Sequence, residues 1–296
     1  MRKILIIGSN GLLGQKAVAA CQNQFPVETA GIEPHSVIDF GLPYHRLDIT
    51  RLLDLEKAVA QLQPEIIFNA AAYTQVDRAE VERELCYAIN VTGVKNLAEI
   101  CARHRLLLVH FSTDYVFDGV KGNYIESDEP NPLSYYARCK LQSEQVVQES
   151  GCPFLLERTA VLYGNGIQIQ SNFPLWVIQQ LTAGKSIRVV DDQIGNPTIA
   201  DYLAETTREL LIKNAQGLFH VAGTDAVSRY DFAVAVAQKF HCDQSLIVRI
   251  QSRDLSQPAP RPLNASLSVE KVQTTYGVKL YSLAQGLTQL LATRGK

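Results

Sequence analysis

The sequence predicts an α/β fold, a doubly wound parallel sheet followed by a smaller α/β unit. Three observations predict it. Apolar runs of strand length recur along the first half, separated by longer stretches of helical period. A glycine-rich turn, "GSNGLLG" (8–14), joins the first run to the first helical stretch. After about residue 165 the alternation loosens and loop signals appear. Strands alternating with helices imply right-handed crossovers and helices on both faces of one parallel sheet.

"KILIIG" (3–8) is the first strand. Its basic start imitates a leader, but the apolar run is too short and glycines follow at once. Gly8, Gly11 and Gly14 then stand where strand turns to helix, and "LLGQKAVAACQ" (12–22) has helical spacing. A tight turn and a close backbone approach to a pyrophosphate need residues without Cβ, and the helix N-terminus offers free N–H groups. In this strand–turn–helix setting the glycines mark a Rossmann-type dinucleotide site. Glu33 follows about twenty residues on, at the end of a second strand in "VETAGIE". A carboxylate there accepts from the ribose hydroxyls of NAD and repels the 2′-phosphate of NADP. The lean is toward NAD, with NADP left open.

Further strands are expected at "IIFNAAA" (66–72), "LLLVHFS" (106–112) and "FLLERTAVLYG" (154–164). Residues 78–104 form the longest helical stretch, possible as two helices in series. "DDQIGNPT" (191–198) and "SQPAPRPLN" (256–264) read as ordered loops, and helices close the chain around 267–276 and 282–293. The expected division is a dinucleotide-binding domain over 1–165, with return segments about 195–225. Residues 166–194 and 226–296 then form a smaller C-terminal domain.

Composition excludes several classes. The 296 residues are 46% hydrophobic and 20% charged, with a net charge of −2, so neither nucleic acid nor an anionic membrane is an expected partner. Six scattered cysteines form no Cys-x-x-Cys pair, which argues against zinc or a disulfide framework and fits a reducing cytoplasm. No run reaches the ~18 apolar residues of a membrane span.

"NPLSYYARCK" (131–140) carries the chemistry. Pro132 and Ser134 suit a helix start. Residues four apart share a helix face, so Tyr136 lies with Lys140, whereas Tyr135 pairs with Cys139. A phenol of pKa ~10 is a poor proton donor and acceptor near neutrality unless a nearby cation lowers it. Lys140 and an oxidised nicotinamide are such cations, and Tyr136 then serves as general acid. "LLLVHFSTDY" supplies Ser112 and Thr113 at a strand end, where α/β sites form. His110, inside that apolar strand, reads as a satisfied core residue.

At this point the chain resembles an extended short-chain dehydrogenase/reductase, and more narrowly the dTDP-4-dehydrorhamnose reductase family. The resemblance runs in order through "GSNGLLG", "LDIT" (47–50), "PEIIFNAAAYTQVDRAE" (64–80), "INVTGVKNLAE" (89–99), "FSTDYVFDG" (111–119), "PLSYYARCK" (132–140), "VVDDQIGNPT" (189–198) and "RP" (261–262). It implies Thr113, Tyr136 and Lys140 as catalytic hydroxyl, acid and lysine. It implies cofactor contacts at Gly8, Gly11, Leu12, Leu13, Asp48, Ile49, Ala70, Ala71, Tyr136 and Lys140, beside Glu33 read above. The implied reaction carries hydride from NADPH or NADH to C4 of a nucleotide-linked 4-keto-6-deoxyhexose, with Tyr136 protonating the oxygen. Lys140 would hold the nicotinamide ribose, and Thr113 the carbonyl.

Tyr115 stands where related dehydratases have Glu, which favours simple reduction over elimination. Tyr115, Asn172 and Arg261 are the substrate-side candidates, Arg261 because guanidinium suits phosphate oxygens. The chain departs from the family at Val161, where a tryptophan is usual, and at Arg229 and Tyr230 in "SRYDFA" (228–233). Lys16 replaces an acidic residue some members use for a metal-bridged dimer, so no metal is expected. The oligomeric state stays open between monomer and homodimer. Two other readings remain: another nucleotide-sugar epimerase or dehydratase, or a non-catalytic cofactor-binding subunit resembling the methionine adenosyltransferase β subunit.

Overall fold

A computed structural model describes residues 1–170 and 172–294. Seven parallel strands form the main sheet: β1 (Ile4–Ile7), β2 (Val27–Gly31), β3 (Tyr44–Arg46), β4 (Ile66–Asn69), β5 (Leu107–Thr113), β6 (Phe154–Thr159) and β7 (Gly217–His220). Their order is β7-β6-β5-β4-β1-β2-β3. The winding reverses between β1 and β4, which pair in parallel with Ile7 opposite Asn69. Ligands in such sheets bind beyond the carboxyl ends of the strands at this reversal.

The strands are buried on both faces, which is why they read as near-continuous apolar runs. α1 (Leu12–Cys21) and α7 (Ala200–Ile212) cover one face, through Ala17, Val18, Leu203, Ala204 and Leu210. α2 (Leu52–Leu62), α4 (Val94–His104) and α5 (Tyr135–Glu149) cover the other. A separate core lies under α6 (Phe173–Thr182), α8 (Arg229–Lys239) and α10 (Leu283–Ala292), built on Val177, Ile187, Phe232, Val236 and Leu287. Strand Ile187–Val190 pairs with Ile247–Ile250 beside it. α9 (Glu270–Tyr276) turns back to the first core through Val272.

The boundaries expected from sequence hold at 12–22, 106–112 and 282–293, and shift elsewhere. The stretch 78–104 is not one or two helices but a 3₁₀ turn (Arg78–Glu80), the short α3 (Arg83–Tyr87), a π-helical turn (Ala88–Gly93) and α4. The π turn points Asn90 inward, where its amide accepts from Tyr73 N (2.9 Å) and donates to Tyr73 O (2.9 Å). It thereby satisfies the backbone just past β4, and π turns often serve such local needs. The run 154–164 breaks at Val161, whose φ of 45° no strand tolerates. The stretch 191–198, read as loop, contributes two short strands. Ile194–Gly195 pairs with Val227–Ser228, and Thr198–Ile199 with Leu162–Tyr163.

Candidate active site

A cleft of about 700 Å³, open to solvent, runs along the carboxyl ends of β1, β2 and β4. Gly8, Gly11, Glu33, Asp48, Ile49, Ala70 and Ala71, all expected from sequence, line it. Gly8 needs to be glycine twice over: its φ is 80°, and a Cβ there would sit 2.6 Å from Ala71 N. Gly14 lets α1 pack onto the turn, since its missing Cβ would collide with the Gly8 carbonyl. A backbone so bare, at a helix N-terminus, fits the pyrophosphate of a dinucleotide. Leu12 and Leu13 are not among the lining residues, and Leu13 is buried in the first core.

Glu33 is held at the far end of this cleft. Asn10 Nδ2 donates to its Oε2 (3.1 Å), and Tyr44 Oη donates to its backbone oxygen (3.0 Å). Burial and the Glu33 carboxylate together push the Tyr44 phenol up to about 12. Asp48 spends Oδ1 on the Thr50 amide (2.9 Å) and hydroxyl (2.7 Å). Asn10, Leu47, Ala72 and Ile89 also line the cleft. The glycine spacing could have yielded Asn10; Leu47 follows β3, Ala72 follows β4 and Ile89 lies in the π turn, all distant in sequence.

Thr113 ends β5, and its hydroxyl donates to Asp114 Oδ1 (3.0 Å) while accepting from Tyr115 N (3.2 Å). Tyr136 and Lys140 lie on α5, which two groups start. Ser134 Oγ accepts from Ala137 N (3.2 Å), and the Glu80 carboxylate accepts from Tyr135 N (2.7 Å). Tyr135 points elsewhere, between the guanidinium groups of Arg83 (5.1 Å) and Arg138 (5.9 Å). Tyr136 sits against Thr113, as the sequence led us to expect. Burial, then the Asp114 carboxylate, raises its pKa, and the Thr113 hydroxyl partly offsets this. Tyr136 is only partly buried and, like Thr113 and Lys140, is not among the residues lining the cleft.

Lys140 is placed differently from the sequence expectation. Its ammonium donates to Phe111 O (2.6 Å) and does not contribute to the Tyr136 shift. Burial lowers it to about 8, against the pull of Glu144. Behind it, His110 is neutral, its pKa lowered by burial and by Lys140. His110 Nδ1 lies 3.3 Å from Asn69 Nδ2, and its Nε2 lies 3.0 Å from Ser143 Oγ and 3.4 Å from Lys140 Nζ. Ser143 donates in turn to Lys140 O (2.6 Å). His110 is thus the satisfied core residue expected, and it also packs against the lysine.

The substrate-side candidates scatter. Tyr115 lines a smaller pocket of about 230 Å³ with Asp114, Val161, Gln193 and Arg229. Arg261 presents its guanidinium to Asp77, Nη1 to Oδ1 and Nη2 to Oδ2, both at 2.7 Å. It reaches Tyr115 as well, and Arg261 first and Ala259 N next hold Asp77 below the usual carboxylate range. Asn172 precedes α6 and donates to Gly164 O (2.7 Å), and its buried Oδ1 lacks a partner among the described residues. Lys16 pairs with Asp201 (3.1 Å), tying α1 to α7. Among the described residues no group of three His, Cys, Asp or Glu side chains could hold a metal, and no helix is long and apolar enough to cross a membrane.

Sequence reasoning missed Asp77, Glu80, Asp114 and Gln193. All four lie in quoted motifs, but their partners are 184, 55, 1 and 59 residues away. Only the first step of that geometry, Thr113 to Asp114, is local.

Comparisons with known proteins agree with this fold. The family model described as RmlD substrate binding domain matches residues 1–295. The chain is 34% identical over 290 residues to the probable low-salt glycan biosynthesis reductase Agl14 of Haloferax volcanii, covering 97% of this chain and 96% of that one. It is 33% identical to a dTDP-4-dehydrorhamnose reductase of Aggregatibacter actinomycetemcomitans, covering 94% and 95%. Among solved structures, a dTDP-4-dehydrorhamnose reductase of Bacillus anthracis in complex with NADP superposes with a TM-score of 0.88 at 29% identity, covering 98% and 99%. The Clostridium acetobutylicum orthologue gives 0.89 at 31%, covering 98% of each chain.

Proposed function

This chain belongs to the RmlD substrate-binding-domain family, and from that premise we propose that it reduces the C4 keto group of a nucleotide-linked 4-keto-6-deoxyhexose, dTDP-4-dehydrorhamnose to dTDP-L-rhamnose, with NADPH or NADH. The observation that carries the reading is the meeting of Thr113 and Tyr136 at the carboxyl end of β5, next to a cleft shaped for a dinucleotide.

The bound nicotinamide supplies the hydride. Gly8, Gly11, Ala70 and Ala71 let the dinucleotide approach the backbone, and Glu33 and Asp48 offer carboxylate oxygens at its adenosine end. Thr113 donates a hydrogen bond to the C4 oxygen, giving up its present bond to Asp114. Tyr136 delivers its proton to that oxygen as charge develops there. In the unliganded protein the phenol is held protonated by burial, the state a general acid needs before the step. Lys140, now on the Phe111 carbonyl, would hold the nicotinamide ribose of a bound cofactor, and its charge would stabilise the phenolate. Tyr115 and Asn172 line the sugar side, and Arg261 reaches phosphate once it exchanges Asp77 for the substrate.

We read residues 1–165 with returns about 195–225 as the dinucleotide-binding half, the rest as the substrate half, and the whole as a cytoplasmic monomer or homodimer. Turnover decides the function. Incubation with dTDP-4-dehydrorhamnose should oxidise NADPH or NADH and yield the 4-hydroxy product. No cofactor oxidation with any 4-keto nucleotide sugar refutes the proposal.

A further inference from the structure

Asp114 opens the 3₁₀ turn (Asp114–Val116) that follows Thr113 at the end of β5, and the residue is only 4% exposed. Among the described residues it forms no ion pair, and its one side-chain hydrogen bond is the 3.0 Å contact with the Thr113 hydroxyl. Its Oδ2 faces Gly195, where a Cβ would stand 3.6 Å away. Few charged or titratable groups surround it. Tyr136 faces it from α5, Arg229 from α8 across the smaller pocket, and Tyr115 from its own turn. The remaining pocket residues, Val161 and Gln193 among them, carry no charge. A carboxyl so placed resists ionisation. Burial raises it to about 7, outweighing first the Thr113 hydrogen bond and then the attraction of Arg229.

The Thr113 hydroxyl has one proton and two lone pairs. Tyr115 N takes one lone pair (3.2 Å). An ionised Asp114 can only accept, so the single Thr113 proton points at it and none is left for a substrate oxygen. A protonated Asp114 reverses that bond. Its O–H donates to the second lone pair of Thr113, and the Thr113 proton is free to turn outward. Charge acts in the same direction. An ionised Asp114 raises Tyr136 further and so opposes the phenolate that Tyr136 leaves when it gives up its proton. A neutral Asp114 removes that opposition.

We propose that Asp114 is a positioning residue of the reduction and acts in its protonated form: its carboxyl O–H donates to Thr113 and so turns the Thr113 proton onto the C4 oxygen. The inference rests on the reduction proposed above. Asp114 keeps its proton throughout. The hydride still comes from the cofactor and the transferred proton from Tyr136, so Asp114 sets only the direction of the hydrogen bonds and the charge beside the phenol.

The pH profile of dTDP-4-dehydrorhamnose reduction tests this with wild type, Asp114→Ala and Asp114→Asn. Wild-type kcat/KM should fall as pH rises through about 7, ahead of a second fall near 8 from Lys140. At about pH 6, Asp114→Ala should lower kcat by about tenfold or more with less effect on KM, because nothing then aims the Thr113 proton. Asp114→Asn carries an N–H donor at every pH, with its amide oxygen left for Arg229. It should recover most of the alanine loss and lack the fall at 7. Unfolding midpoints show that each variant is folded; if Asp114→Ala is not, the comparison of wild type with Asp114→Asn decides alone. An Asp114→Asn enzyme as slow as Asp114→Ala, or one that keeps the wild-type fall at 7, overturns the assignment and leaves the reduction standing. Failure of wild type to oxidise cofactor with any 4-keto nucleotide sugar contradicts the reduction and the assignment with it.

Discussion

Glu144 and Arg158 form an ion pair whose side chains are 2% and 3% exposed, directly beneath the active site. Arg158 Nε lies 3.0 Å from Oε1 and Nη2 2.7 Å from Oε2, and Ser112 Oγ donates to the same carboxylate. Glu144 is one turn beyond Lys140 on α5, and Ser112 precedes Thr113 on β5. Glu144 therefore clamps the helix carrying the acid to β6 through Arg158 and to β5, the strand carrying the hydroxyl, through Ser112. Glu144→Gln keeps the shape but strands a buried guanidinium. Breaking one side of such a pair costs about 3–5 kcal/mol, a large share of the ~5–15 kcal/mol that holds a domain together. At ~2–4 °C per kcal/mol, the unfolding midpoint should drop by about 6 °C or more. Arg158→Met with Glu144→Leu should lose less than the sum of the two single changes, because no charge is then stranded. Well below the midpoint, Glu144→Gln should lower kcat more than it raises KM, since a displacement of ~1 Å at a catalytic group can cost ~10²-fold. Urea and thermal melts with steady-state kinetics on wild type, Glu144→Gln, the two single changes and the double variant test this. A loss under ~1 kcal/mol for Glu144→Gln, or additive effects in the double variant, would refute the clamp.

Two further outcomes are expected. Glu157, fully buried on β6 with one Thr207 hydrogen bond (2.9 Å), is raised by burial to about 8 from 4.5. Between those values the folded protein holds a proton that the unfolded chain has lost, so stability falls as pH rises, at ~1.4 kcal/mol per pH unit. Glu157→Gln should flatten urea midpoints between pH 5 and 8, and an unchanged slope contradicts it. A carboxylate at the end of the cleft is expected to disfavour the 2′-phosphate of NADPH, so Glu33→Ser should shift the ratio of kcat/KM toward NADPH by about tenfold, a ~1.4 kcal/mol change. Wild type with strong NADPH preference, left unmoved by the change, contradicts this.

The sequence made legible what local chemistry dictates. Gly8 and Gly14 are forced by backbone approach, the fully buried strand β5 by its apolar run, and the start of α5 by Ser134. Tyr136 was separable from Tyr135 because four residues make one helical turn. What stayed hidden depends on distant partners. Nothing local says that Asp77 will take Arg261, or that Glu80 will cap α5. Nor does anything local say that Lys140 rests on the Phe111 carbonyl instead of serving the phenol. The π turn at 88–93 and the break at Val161 are tertiary overrides of helix and strand periodicity. The short strands at 194–195 and 198–199 form only because segments far along the chain pair with them.

The central claim is that Tyr136 is the proton donor. Single-turnover reduction of dTDP-4-dehydrorhamnose, with cofactor binding measured alongside, should show Tyr136→Phe losing about 10²–10⁴-fold in rate while holding cofactor with wild-type affinity, and Tyr135→Phe staying near wild type. Equal losses in the two variants, or a Tyr136→Phe enzyme that still turns over at the wild-type rate, would contradict it.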